Sequence, residues 1–295
     1  MRNAFILVIS LFAFITQAYN GRLILNFDIN HTMIATDAAA GSNLDEGIAS
    51  IVAKEHRGIW APNQKSPLSY YDYVKSSYPD KELRKKMLLQ FVSSGLSPNA
   101  QEDFAHIRSK LTAQPTEVFS SFFQMIAYLN ENNIKYNIVL RTFGSDLEAT
   151  IKVLSTELRV TFATARFQNG KLILSSGIIL QDPQKIFHYM SATPYLAIQD
   201  EYEPWHAAQE HWSAGKLFYL NDDEDRNNIL PLFFDDNIEA APAENNIVCP
   251  IHRISGEKIY PGAYYNKQLF KVETYQAIIN DGYFINLVKQ VLSYL

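Results

Sequence analysis

Two short stretches leave the core on carboxylates after an almost wholly apolar run: "RLILNFD" stops at Asp28, and "ILPLFFDD" stops at Asp235 and Asp236. A segment so short and so apolar has no face to give to water. It therefore reads as a strand covered on both sides, the kind that builds parallel sheets. A third run, "KYNIVLRTFG", lies between them and ends on Thr142. In open α/β sheets ligands bind outside the carboxyl ends of the strands, so the residues that end these runs are the first candidates for chemistry.

Helical patterns separate the strands. "PTEVFSSFFQMIAYLNENN" predicts a helix opened by Pro115 and closed at Asn132-Asn133, and "SDLEATIKVLSTELR" predicts another, capped by Ser145 or Asp146. "TFATARFQNGKLILSSG" reads as strand-turn-strand about Asn169-Gly170. Helices are expected near "DPQKIFHYM", "EPWHAAQEHW" and "LVKQVLSYL", and strands near "PYLAIQD", "KLFYL" and "NNIVCPI". Strand then helix, repeated, predicts an α/β fold: a Rossmann-like, mostly parallel sheet with helices on both faces. Residues 44 to 112 differ. They show helical periodicity broken by Pro62, Pro67, Pro79 and Pro98, with no long strand, and are expected to form a helical cap insertion. The core is then residues 19 to 43 and 113 to 295.

Composition sets bounds. Among 295 residues, 47% are hydrophobic and 19% charged, enough to bury a large core and too apolar for disorder. The net charge of -5, with no basic run, gives no footprint for nucleic acid. "MRNAFILVISLFAFITQAYNG" has a basic start, an apolar run shorter than a membrane span, and small residues before Ala18. It reads as a signal peptide over residues 1 to 18, which predicts a secreted or periplasmic protein with no membrane attachment after cleavage. The single cysteine, Cys249, excludes an intrachain disulfide and reads as a buried hydrophobe. The sequon Asn30-His31-Thr32 falls at the end of a core strand, where a glycan would obstruct, so a compartment without N-glycosylation is expected.

In chain order, the strand-end candidates are Asp28 with Asn30, Thr142, and Asp235 with Asp236, and Lys216 lies between the last two, just after Gly215. This series resembles the haloacid dehalogenase-like hydrolase superfamily: "LILNFDINHT" is similar to its first motif, "IVLRTFG" to its second, Lys216 to its third and "LFFDDN" to its fourth. The helical insertion lies where that superfamily carries a cap, between the first and second motifs. The resemblance implies a magnesium-dependent phosphatase in which Asp28 attacks phosphorus to form an aspartyl phosphate. It implies magnesium held by the Asp28 carboxylate, the Asn30 backbone carbonyl and one or both of Asp235 and Asp236. Thr142 would bind the phosphoryl oxygens, Lys216 would supply positive charge, and the loop at Ala35 to Gly41 would admit and seal off substrate. Arg141, beside Thr142, is a candidate substrate contact. The substrate would be a phosphorylated small molecule or a phosphoprotein.

One position departs from the pattern. The superfamily's phosphatases have a second Asp two residues after the nucleophile, as proton donor and acceptor, and here that position is Asn30. An amide exchanges no proton near neutral pH, a service typically worth ~10²–10⁴-fold in rate. His31 is adjacent, but a continuing strand pleat would point it to the other side. The alternative reading is thus a catalytically impaired descendant that binds a phosphorylated ligand or a protein partner. Other polar features carry no chemistry in this reading. His206 and His211 are five apart, off one helical face, and "NDDEDRNN" lacks the glycine and terminal glutamate of a calcium loop.

Overall fold

A computed structural model describes residues 19–37, 41–94, 97–221, 225, 228–240 and 244–294. The signal-peptide expectation for residues 1 to 18, and most of "NDDEDRNN", lie outside them. In chain order the elements are β1 (Arg22–Asp28), α1 (Leu44–Glu55), β2 (Arg57–Gly58), β3 (Leu68–Ser69), α2 (Tyr70–Ser77), α3 (Lys81–Ser93) and α4 (Pro98–Thr112). Then come α5 (Ser120–Glu131), β4 (Lys135–Thr142), α6 (Leu147–Leu158), β5 (Ala163–Gln168), β6 (Lys171–Leu174), β7 (Ile179–Leu180), α7 (Pro183–Ala192) and β8 (Tyr195–Gln199). The chain closes with α8 (Tyr202–Ala207), β9 (Lys216–Leu220), β10 (Ile229–Asp235), β11 (Val248–His252), β12 (Leu269–Lys271), α9 (Thr274–Ile279) and α10 (Tyr283–Leu292).

The fold is α/β. Eight strands form one sheet in the order β12-β10-β1-β4-β8-β5-β6-β7. Pairing is parallel from β12 to β5 and antiparallel only in the β5-β6-β7 edge. The β5–β6 hairpin turns at Asn169 and Gly170, with φ of 52° and 73°. Two such left-handed residues match the twist of the flanking strands.

Alternation along β1 divides its side chains between two cores. Leu23, Leu25 and Phe27 enter the larger cluster with the helices α5, α6, α9 and α10, and Ile24 enters a second cluster on the opposite face with α7. That opposite face is covered by more than helices. β9 and β11 pair in parallel as a separate two-stranded sheet, so "KLFYL" is not a strand of the main sheet. Phe218 of β9 packs edge-on against Phe233 of β10, with ring centroids 5.5 Å apart.

Helix α5 begins at Ser120, not at Pro115 as its sequence suggests. Residues 115–119 are drawn toward the core instead: Val118 and Phe119 are buried, and Phe119 N donates to Met33 O at 2.8 Å. Residues 44–112 hold α1 to α4 and the short β2–β3 hairpin. α1 starts in a reciprocal capping box between Asn43 and Glu46. Ile48, Val52, Phe91 and Ile107 of this insertion belong to the same hydrophobic cluster as Leu25 and Phe122 of the core. Among the described residues, no helix is long and apolar enough to cross a membrane.

Candidate active site at the carboxyl edge of the sheet

β1 and β10 run side by side with Phe27 opposite Phe234, so the next residue of each strand, Asp28 and Asp235, sits at the same level of the sheet edge. Both are buried, at 5% and 0% exposure. Two neighbouring buried carboxylates repel, and Lys216 intervenes. Its ammonium lies 2.5 Å from Asp28 Oδ1 and 2.8 Å from Asp235 Oδ2. Burial, and then Asp235, push the Asp28 carboxyl well above the usual carboxylate range, against the pull of Lys216. Asp235 is raised as well, by burial and Asp236, again opposed by Lys216. Burial alone would lower Lys216, but the two carboxylates reverse this and hold its ammonium above the ordinary lysine value.

The backbone explains how Lys216 arrives there. It is the first residue of β9, and its N–H donates to Ile247 O at 2.7 Å. The preceding Gly215 is crossed so closely by this segment that a Cβ would stand 2.4 Å from Ile247 O. Only glycine lets the two backbones approach, and that approach fixes where the lysine begins.

Asp236 turns to the insertion. Its Oδ2 lies 3.0 Å from Lys54 Nζ on α1, its Oδ1 accepts from Asn237 Nδ2 at 2.8 Å, and its N–H donates to Thr32 Oγ1 at 3.1 Å. Lys54 was not legible as a site residue: it is one basic residue in the last turn of a helix, and nothing in the spacing marks it.

Past Asp28 the pleat does not continue. The N–H groups of Thr32, Met33 and Ile34 all fold back onto Ile29 O, and His31 adopts φ of 56°. This tight turn overturns the expectation that His31 faces away, since His31 lines the same cleft as Asp28 and Asn30. Its Nδ1 is buried without a hydrogen-bond partner among the described residues, and burial, then Lys54, lower its pKa. The Asn30 side chain donates from Nδ2 to Asp146 Oδ2 at 2.7 Å and to Thr36 O at 3.2 Å. Its Oδ1 accepts from Thr142 Oγ1 at 3.4 Å, and Thr142 Oγ1 accepts from Gly144 N at 2.8 Å. The Thr142 hydroxyl thus serves the turn and also reaches the cleft. Asp146 occupies the N-cap position of α6 without a side-chain cap bond among the described residues, and its Oδ2 accepts from Asn30.

Arg141 does not reach the cleft. It pairs with Asp28 in register, on the same face, yet it is 0% exposed. Asp200 takes it in a bidentate pair at 2.6 and 2.9 Å, Leu217 O accepts a third bond at 3.0 Å, and the rings of Phe167 and Phe233 flank it. β9 and Asp200 enclose the guanidinium, so the expected substrate contact is a core ion pair.

The cleft itself has a volume of about 640 Å³ and is lined by Asp28, Asn30, Thr142, Lys216, Asp236 and an aromatic wall of Phe143, Tyr202 and Trp205. One oxygen from each of Asp28, Asp235 and Asp236 falls within 4.8 Å of the others. Three carboxylates face two ammonium groups, Lys216 and Lys54, which leaves a buried excess of negative charge. An all-oxygen donor set with surplus charge fits a hard divalent cation such as magnesium.

No protein-family model matches the chain, and no curated protein matches it. Among solved structures, a haloacid dehalogenase-like family hydrolase from Xanthomonas campestris aligns over 92% of this chain and 98% of its own, at 11% identity and a TM-score of 0.21. An overlay that loose bears on neither the fold nor the site.

Proposed function

We propose that this protein is a haloacid dehalogenase-like phosphatase that uses magnesium and forms a phosphoryl-enzyme on Asp28, with residues 44–112 as its cap. The observation that carries this reading is the meeting of Asp28, Lys216 and Asp235 within direct hydrogen-bond reach, although they lie on three separate strands. Asp28, Asp235 and Asp236 would hold the cation, which, when bound, offsets the charge between two anions that must approach. Asp28 would attack phosphorus in line. Lys216 and the bound cation together would favour the nucleophile's ionised carboxylate, and Lys216 would orient it and add positive charge as the transition state forms. Thr142 would donate to a phosphoryl oxygen. The leader sequence supports an exported protein, and the chemistry of the cleft a phosphorylated small molecule or phosphoprotein as substrate.

The test is phosphate release from aryl phosphates by purified protein, with and without magnesium. Magnesium-dependent release that Asp28→Ala abolishes is expected. Absence of release by wild type, or equal release by Asp28→Ala, would overturn the reading. A second reading, a binder of phosphorylated ligands, draws on Asn30, whose amide cannot carry a proton. Under it, wild type is inert and Asn30→Asp gains activity.

A further inference from the structure

The Asn30 amide has a defined orientation. Both of its N–H groups are taken, one by Asp146 Oδ2 and one by Thr36 O, and turning the amide over would set its oxygen against both of those acceptors. Its Oδ1 therefore faces Thr142, at the position a Cβ on Gly144 would crowd to 3.2 Å, with Asp146 Oδ2 and Thr142 Oγ1 as close. Gly144 leaves room for this cluster. At this edge of the cleft Asn30 therefore offers an acceptor oxygen, and its two N–H groups are already used.

The wall beside it is aromatic. Phe143 and Trp205 stack with centroids 5.5 Å apart and an interplanar angle of 24°, and Tyr202 meets Phe143 edge-on at 5.7 Å. Trp205 is held by its Nε1 donating to Asn246 O at 2.8 Å, and Phe143 lies over the Lys216 ammonium at 5.0 Å. Such a wall suits a planar ring, by stacking or edge contact.

We propose that the cleft takes phosphate monoesters of planar aromatic alcohols, and that the amide of Asn30, oriented by Asp146, makes departure of an unprotonated phenolate the route of P–O cleavage. This rests on the phosphatase reading above. In the first step an Asp28 oxygen bonds to phosphorus, the P–O bond to the aryl group breaks, and the electron pair leaves with the phenolate. In the second, a water oxygen bonds to phosphorus while the bond to Asp28 breaks and its electron pair returns to the carboxylate. Asn30 Oδ1 accepts a hydrogen bond from that water, and both water protons stay on the product as dihydrogen phosphate. In solution, dihydrogen phosphate returns one proton to the phenolate, which closes the balance. Alkyl phosphates would have to expel an alkoxide with no proton supplied.

The test measures kcat and KM of the full chain with magnesium on phenyl phosphates of graded phenol acidity and on glycerol phosphate. Wild type is expected to slow steeply as the phenol weakens as an acid, with alkyl turnover lower by about 10²–10⁴-fold, the typical worth of a missing general acid. Asn30→Asp is expected to narrow that gap, and Trp205→Ala to raise KM for aryl substrates more than it lowers kcat. A flat dependence in wild type, or alkyl turnover as fast as aryl, overturns this inference and leaves the phosphatase reading standing. No phosphate release from any member of the series overturns both. If Asn30→Asp does not fold, the wild-type series alone decides.

Discussion

Lys216 Nζ lies 2.5 Å from Asp28 Oδ1 across 188 residues of chain, and the same ammonium reaches Asp235 Oδ2 at 2.8 Å. The lysine sits outside the main sheet, on β9, and enters the site from the face that β9 and β11 cover. Removing it would leave two buried carboxylates at one sheet edge with no cation between them. Lys216→Met is expected to lower kcat by about 10²–10³-fold, the usual cost of losing one charge-stabilising donor. Steady-state kinetics on an aryl phosphate with magnesium checks this. Unchanged kcat would remove Lys216 from the mechanism.

Gly215→Ala tests how that lysine is placed. A methyl group there would stand 2.4 Å from Ile247 O, so β9 must shift away from the segment leading into β11. Activity is expected to fall by more than tenfold, since a displacement of about 1 Å at a catalytic group can cost 10²-fold. Paired measurements of kcat and thermal midpoint separate this from general damage: kcat drops further than the loss of folded protein accounts for.

Arg141 and Asp200 make a bidentate pair with side-chain exposures of 0% and 2%. Arg141→Met strands the Asp200 carboxylate in the core and is expected to cost about 3–5 kcal/mol of folding stability, as for other broken buried pairs. Adding Asp200→Asn should recover part of the loss, because no charge is then left unpaired. Urea unfolding of the two single variants and the double variant measures the coupling. Additive losses would contradict the pairing.

Much of the fold was legible because burial on both faces leaves a strong apolar signature, as in β1 and β10, and because Asn169-Gly170 has one natural use between two strands. The strand-end rule pointed to Asp28, Thr142 and the Asp235-Asp236 pair; Asp28, Thr142 and Asp236 line one cleft, and Asp235 is fully buried beside Asp28. It misled at Arg141: adjacency to Thr142 says nothing about Asp200, which closes on it from β8's end. Lys54 left no signal, and Asp146 signalled only a helix cap. Each acts through a partner far away in sequence, Asp236 and Asn30, and such pairs exist only once the chain is folded. The start of α5 was set by tertiary packing of Val118 and Phe119 over a favourable Pro115.

Cys249 gives a prediction about pH. Burial pushes its thiol up to about 11, against the pull of Lys258. The stability gained by keeping this thiol protonated is fully present below the ordinary thiol range and is lost as pH rises through about 11. A thiolate-directed alkylating reagent is therefore expected to leave the folded protein unmodified near neutral pH and to label it rapidly in urea. Intact-mass measurement reads the labelling, and fast modification of the folded chain would contradict the burial.

The proposed reaction passes through a covalent phosphoryl group on Asp28. Rapid acid quench during turnover of an aryl phosphate with magnesium, followed by borohydride reduction and peptide mapping, tests it most directly. An acyl phosphate is reduced to an alcohol, so homoserine is expected at position 28 only when substrate and magnesium are both present. Sustained turnover with Asp28 recovered unchanged would contradict it.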